Sequence, residues 1–180
     1  SRGLGDVYKR QAYDYHWRTG DPGPVAPLTG GDPWSSYAID WTLNDYRTWG
    51  ATDDKLIVGL PVYGYAWPTD NDAVPGMATG MAEAHSLASI LEDRSLLDER
   101  YDTVTDTPWA WNGTTQLWFD DADSLEIKLS WAVAEGVQGI GLWALGYAGG
   151  DPDFWAMVDG ISGAEIPETD DTGATDDGGR

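Results

Sequence analysis

Residues 55–60, Lys55-Leu56-Ile57-Val58-Gly59-Leu60, constrain the fold more than any other stretch of this chain. Apolar side chains fall on both faces of the run, so neither face can be left to water. A strand of that kind needs a layer on each side, as in a parallel sheet or the wall of a barrel. Pro61 follows, and regular pairing is expected to stop there because proline has no N–H to give to a ladder. Beyond it the pattern changes, with Tyr63, Tyr65 and Trp67 separated by Gly64 and Ala66. A buried strand that opens into alternating aromatics has the form of a site at a strand's C-terminal end.

The rest of the chain supplies neighbours for that strand. Upstream, Ala12-Tyr13-Asp14-Tyr15-His16-Trp17 reads as the end of another strand. A polar loop over 18–33 carries four glycines and four prolines, and its length points to function more than to connection. Ser35 or Ser36 is placed to cap a helix running to Trp49, with Ile39, Leu43 and Tyr46 on one face and Gly50 as the stop. Strand, helix, strand implies parallel neighbours joined by a right-handed crossover. After the aromatics, 68–80 is irregular. A helix is expected over 82–93 with Leu87, Ile90 and Leu91 inward. Residues 101–111 and 114–119 flank Asn112-Gly113, a strong hairpin signal, so a hairpin-containing insertion of about 68–121 separates two βα units. A second crossover helix over 124–135 turns Leu125, Leu129, Ala132 and Val133 inward and stops at Gly136. It leads to a third strand over 138–146, and Asp151-Pro152 starts a last helix carrying Phe154, Trp155, Val158 and Ile161. Three parallel strands cannot close a barrel, so the missing ones are expected upstream.

Composition narrows the partners. There are 31 acidic and 10 basic residues, a formal charge of -21. Phosphate neutralisation needs a Lys/Arg patch, so nucleic acid and anionic membrane surfaces are excluded as partners. Lysine occurs only at positions 9, 55 and 128, and aspartate dominates the acids. Such a surface remains soluble where salt screens it, consistent with a saline setting. No cysteine is present, which removes disulfides, zinc–thiolate sites and thiol nucleophiles. His16 and His85 lack ligand spacing, so neither metal nor other cofactor is expected. Aromatic usage is skewed, with 11 Trp and 9 Tyr against 2 Phe. Most of these are expected in the core, but flat faces with polar handles also suit stacking on sugar rings. Residues 1–11 resemble the read-through translation of a sequencing adapter and are expected to lie outside the fold. Residues 167–180 are a Thr/Asp/Gly tail, expected as a disordered acidic linker of the kind that joins modules in secreted proteins. That leaves 12–166 as the folded part, with further domains expected upstream and downstream.

Three strand ends point the same way: Tyr13-Asp14, then Tyr63 with Tyr65 and Trp67, then Trp143. In a βα barrel such ends form the active face. The segments AYDYHW, KLIVGLPVYGYAW, LWFDDADSLEIKL and GIGLWALGY, in this order, resemble the C-terminal part of glycoside hydrolase family 18. The resemblance covers roughly residues 12–161. Its wording is similar to bacterial chitinase-like and spore-cortex-lytic members. It implies an α/β fold, part of a TIM (β/α)8 barrel, in which these would be strands six to eight. The family's sixth strand carries Met-x-Tyr-Asp; Tyr13 and Asp14 match its last two positions, while position 11 is Gln. The resemblance gives Tyr13 the carbonyl of the substrate's N-acetyl group, Asp14 the positioning of the sugar, and Trp143 a place beneath the sugar whose bond is cut. Tyr63, Tyr65, Trp67 and Tyr15 are implied as further cleft walls.

The chemistry so implied is hydrolysis of β-1,4-linked N-acetylglucosamine polymers, chitin or peptidoglycan, by a secreted or cell-surface enzyme. The N-acetyl oxygen attacks the anomeric carbon while a glutamate protonates the leaving oxygen, the substrate-assisted exception among retaining glycosidases. That glutamate ends an Asp-x-x-Asp-x-Asp-x-Glu motif, which this sequence lacks. The acidic run Asp120-Asp121-Ala122-Asp123-Ser124-Leu125-Glu126 has the wrong spacing and reads better as a helix N-terminus. The chain alone is therefore expected not to hydrolyse glycosides. Asn112-Gly113-Thr114 fits a glycosylation sequon, but a hairpin turn explains it more simply. Two other readings stand beside the enzyme: a non-catalytic carbohydrate-binding relative, and an unrelated acidic βα binding domain. The last would place Tyr13, Asp14 and Trp143 far apart, whereas the first two predict one shared cleft.

Overall fold

The computed structural model describes residues 8–162. In chain order it runs β1 (Tyr8–Gln11), α1 (Ile39–Thr48), β2 (Leu56–Pro61), β3 (Tyr63–Pro68), β4 (Glu83–Ser86) and α2 (Leu87–Asp93). It continues with β5 (Asp98–Asp102), β6 (Thr107–Trp111), β7 (Thr115–Trp118), α3 (Ala122–Ala134), β8 (Gly139–Trp143) and α4 (Pro152–Ser162). Three of the strands form a parallel sheet in the order β1-β2-β8. The other five form an antiparallel sheet in the order β4-β3-β7-β6-β5. The fold is α/β, and the parallel sheet is an open one.

The first strand is displaced from its expected place. It lies at Tyr8–Gln11, with Tyr8 opposite Leu56 and Gln11 opposite Gly59, and Ala12 adds one more bond from its N–H to the Gly59 carbonyl (2.9 Å). Residues 8–11, expected outside the fold, therefore supply main-chain partners to β2. Ladder bonds are made by the backbone, so side-chain composition there was a poor guide to pairing. The rest of the N-terminal segment and the whole acidic tail fall outside the described residues.

Helix α1 also starts later than a serine cap would place it. Ala38 is the N-cap and offers no side-chain bond. The first amides are instead taken by the preceding loop: Ile39 donates to the Pro27 carbonyl (2.9 Å) and Asp40 to that of Leu28 (3.1 Å). A helix's first N–H groups need acceptors, and here tertiary carbonyls replace the side chain. Ser35 Oγ accepts from the Tyr37 amide instead. At the other end Gly50, at φ 89°, makes the left-handed turn that stops the helix. Helix α3 is capped from its own sequence: Asp121 accepts from the Ser124 amide, while Ser124 Oγ accepts from the Asp121 amide. Asp151 likewise caps α4 through the Phe154 amide (2.8 Å).

Burial and register divide the parallel sheet into two faces. Leu56, Val58 and Leu60 of β2 pack with Ile39 and Leu43 of α1, Leu125 and Leu129 of α3, and Phe154 and Met157 of α4. The alternate positions Ile57, Gly59 and Pro61 pair with Gly139, Gly141 and Trp143. A Cβ built on Gly139 would meet Ile57 Cγ1 at 3.9 Å, so these residues share the opposite side.

β2 ends at Pro61 as expected, but the inserted sheet begins at Tyr63 and not at about 68. The YGYAW stretch is not a loose strand end; it is β3, paired antiparallel to β4 and β7. Residues 82–93 are accordingly split: 83–86 take the edge of β3, and the helix begins only at Leu87, capped by Ser86. Across β3, β7 and β6 the register aligns Tyr65, Trp118 and Trp109, and the two indoles stack with centroids 5.2 Å apart. Cross-strand aromatic pairs of this kind hold a sheet together. The hairpin at Asn112-Gly113 forms as expected, with Gly113 at φ 100°. The 18–33 segment, polar in composition, is buried over 22–28 because it bridges the two sheets. Its Val25 joins the aromatic core, Leu28 donates to the Thr105 carbonyl, and Thr29 Oγ1 donates to that of Val104.

Candidate functional site

Three residues past the end of β1 the backbone of Asp14 turns into the left-handed region, at φ 62°. Aspartate is one of the few side-chain-bearing residues that accept this conformation. The turn aims its carboxylate at β3, where Tyr63 and Tyr65 stand on one face at a two-residue interval. Both phenols donate to the same oxygen, Asp14 Oδ1, at 2.6 Å and 2.9 Å. Burial, and then the carboxylate itself, push both tyrosines well above the usual phenol range. They therefore remain protonated donors at any physiological pH. Oδ2 has no protein partner among the described residues. Beside this group the Tyr13 ring meets Tyr63 edge-on at 6.0 Å, and its hydroxyl oxygen accepts from Gln11 Nε2 (2.7 Å). Among the described residues its own proton has no acceptor.

Asp14 lies on the wall of a cleft of about 900 Å³ shared with Tyr15, His16, Trp17, Trp34 and Tyr37. Trp34 is held by its indole N–H on Asp102 (2.6 Å) and stands edge-to-face with Trp118. The His16 ring meets Trp34 edge-on at 5.2 Å and its Nδ1 contacts the Asp21 carbonyl. Burial lowers the His16 pKa, only partly countered by Asp21, so its neutral form is favoured. The strand-to-loop turn needs Gly23 here: a Cβ would sit 2.4 Å from the His16 ring. Tyr15 donates to the Ala38 carbonyl and shares a bond with Thr42, and burial pushes its phenol up to about 12. It ties the strand end to α1 while its ring lines the cleft.

The structure treats the expected site residues unequally. Asp14 and Tyr15 line the cleft, and Tyr63 and Tyr65 hold Asp14 from behind. Tyr13 packs between the two cores. Trp67, expected on the wall, is a correction: it is 0% exposed, packed edge-on to Tyr65 inside the antiparallel sheet. Its alternation with Tyr65 was legible, but further along the strand that face runs under the 68–80 segment. Trp143 is half-exposed at the end of β8, opposite Pro61, and does not line this cleft. Its partner Pro61 alternates with Ile57 and Gly59, which places Trp143 on the helix-free side of the sheet. Trp34 and Tyr37 were missed. The only sequence signal was their position at the exit of a glycine- and proline-rich loop.

One carboxylate with a free oxygen among aromatic rings and phenols can orient a neutral, polyhydroxylated ligand by hydrogen bonds and stacking. Among the described residues no three His, Asp or Glu side chains group as metal ligands. No helix among them is long and apolar enough to cross a membrane.

Comparison with known proteins gives one consistent result. The family described as glycosyl hydrolases family 18 matches residues 3–148. Chitinase C of Streptomyces lividans is 28% identical over 159 residues, covering 83% of this chain and 26% of that protein. The cortical fragment-lytic enzyme of Bacillus subtilis is 24% identical over 158 residues, covering 85% of this chain and 34% of that protein. A solved family 18 N-acetylglucosaminidase from Paenibacillus barengoltzii superposes with a TM-score of 0.78 at 19% identity, over 86% of this chain and 48% of that one. The chain thus spans about a quarter to a third of these two curated relatives.

Proposed function

Because this chain belongs to glycosyl hydrolase family 18, its match covering most of its length and overturning the unrelated βα reading, we propose that it is the acetamido-binding part of a hydrolase acting on β-1,4-linked N-acetylglucosamine polymers. On this reading β1, β2 and β8 are the last three strands of an eight-stranded barrel, and their helix-free face looks into it. The single observation that carries the reading is the Asp14 cluster: a carboxylate fixed by two phenols, with one oxygen open, beside a tyrosine whose proton is unused.

The family resemblance supplies the roles, and that geometry is compatible with them. Tyr13 donates to the carbonyl of the substrate's N-acetyl group, and Asp14 Oδ2 accepts from its N–H. The pair thereby holds the acetamide oxygen against the anomeric carbon, which is the positioning that substrate-assisted hydrolysis requires. Trp143, on the same face, offers its ring to the apolar side of the sugar. The protonated glutamate that completes the reaction is not in this sequence, so the chain binds without cutting. Secretion or display at a cell surface suits an insoluble polymeric substrate.

The test is calorimetry and a fluorogenic oligosaccharide assay on the same preparation. N-acetylglucosamine oligomers are expected to bind, with no hydrolysis above the uncatalysed rate. Tyr13→Phe should weaken binding about three- to tenfold, the value of one hydrogen bond to a neutral group. Turnover by the chain alone, or unchanged binding in Tyr13→Phe, overturns the proposal.

A further inference from the structure

Several tryptophans lie outside the cores that hold Trp34, Trp67, Trp109 and Trp118. Of the 11 in the sequence, Trp17, Trp41, Trp49, Trp143 and Trp155 are 39–82% exposed. Leaving large rings in water forfeits burial free energy, so a cluster of them points to something that covers it. One such pair stands outside the Asp14 cluster. Tyr37, 57% exposed, lines the mouth of the cleft, and Trp41 sits one turn further on, on the outer side of α1. Their centroids are 4.7 Å apart and their planes lie at 82°, which makes a right-angled corner with open ring faces. Neither the Tyr37 hydroxyl nor the Trp41 indole N–H has a hydrogen-bond partner among the described residues.

The surroundings select the occupant. Asp40 sits at the corner, its Oδ1 accepting from the Trp41 amide, and the chain as a whole carries -21. Phosphate-bearing and other polyanionic ligands are repelled by that field. Two rings bordered by a carboxylate are far smaller than the roughly 800 Å² per partner of a stable protein interface. What fits is a neutral sugar ring: its C–H face stacks on one aromatic plane, and its hydroxyls reach the free indole N–H, the phenol and Asp40. Continuity with the cleft comes from Tyr37, which belongs to both.

We propose that the Tyr37–Trp41 corner is a second glycan contact, taking the part of a neutral β-linked N-acetylglucosamine chain that extends out of the cleft onto α1. It rests on the functional reading above and adds to it a preference for long chains and polymer over short oligomers.

The experiment measures binding of N-acetylglucosamine disaccharide and hexasaccharide to the full 180-residue chain. Trp41→Ala and Tyr37→Ser should each weaken hexasaccharide binding about three- to tenfold, the value of one lost aromatic contact, and Trp41→Ala should leave the disaccharide unchanged. Trp41→Phe should retain most of the affinity, which separates loss of the ring from loss of fold. Trp49→Ala, at the far end of α1 and 82% exposed, should match the wild type for both ligands. If folded Trp41→Ala and Tyr37→Ser bind hexasaccharide like the wild type, the second contact is refuted and the cleft reading survives. If Trp41→Ala loses the disaccharide equally, the corner is part of the cleft and the proposal also fails. A wild-type chain that binds neither sugar removes both readings.

Discussion

Asp14 shows how much one backbone angle can decide. At φ 62° its carboxylate reaches Tyr63 and Tyr65, whereas an extended residue there would point it elsewhere. Replacing it with alanine removes the acceptor of two phenols and places a Cβ residue without a helpful side chain in the left-handed region. We expect a loss of about 2–3 kcal/mol in urea unfolding, since hydrogen bonds to a charged group are worth roughly 1.5–3. Asp14→Asn, which keeps an acceptor and tolerates the angle, should lose less than half as much. His16 makes a second residue-scale prediction. Its pKa is depressed in the fold by burial, so the unfolded chain binds more protons than the folded one as pH falls through about 6.5. Stability is therefore expected to be full above neutrality and to decline below it. His16→Gln should flatten the Tm profile between neutrality and mild acid; an unchanged slope refutes the assignment.

At the scale of elements, the junction of β7 and α3 is held by charge in a dry place. Lys128 and Asp120 form a fully buried ion pair, and Ser124 Oγ also donates to Asp120. Burial raises the Asp120 pKa even though Lys128 opposes the shift. Arg94, at the end of α2, adds ties to Glu99 of β5 and to the α3 cap Asp121. Removing one partner leaves an uncompensated buried charge, so Lys128→Met is expected to cost about 3–5 kcal/mol. Adding Asp120→Leu should recover much of that in a double-mutant cycle. If the two single losses simply add, the pair is not coupled. Between β3 and β7 a close approach does similar work: a Cβ on Gly64 would fall 2.5 Å from the Trp118 carbonyl oxygen and 2.6 Å from Phe119 Cβ. Gly64→Ala should therefore cost about 1–3 kcal/mol through overpacking.

For the whole molecule the dominant physical fact is its charge. A formal -21 on 180 residues means self-repulsion, which salt relieves as the screening length falls from about 30 Å at 0.01 M to about 3 Å at 1 M. Tm is expected to climb with sodium chloride over that range, while affinity for a neutral oligosaccharide should stay level. An affinity that falls with salt would point to a charged ligand instead. The sequence by itself determined the features that depend on local pattern. Apolar residues on both faces of 55–60 announced a strand covered and parallel, the acidic run 120–126 and Asp151 announced helix starts, and Asn112-Gly113 announced a hairpin, all of which the structure contains. Each is a short-range property in which the residue itself supplies the bond or the backbone freedom. What only the tertiary structure decided depends on partners distant in the chain. Loop carbonyls, not Ser35 or Ser36, start α1; the apolar middle of a polar-looking loop joins two cores. Tyr63, Tyr65 and Trp67 alternate identically, yet two reach Asp14 and the third is sealed in. Periodicity reports which side of a strand is aromatic, but not what that side will meet, and it is the meeting with Asp14 that turns β3 from packing into a site.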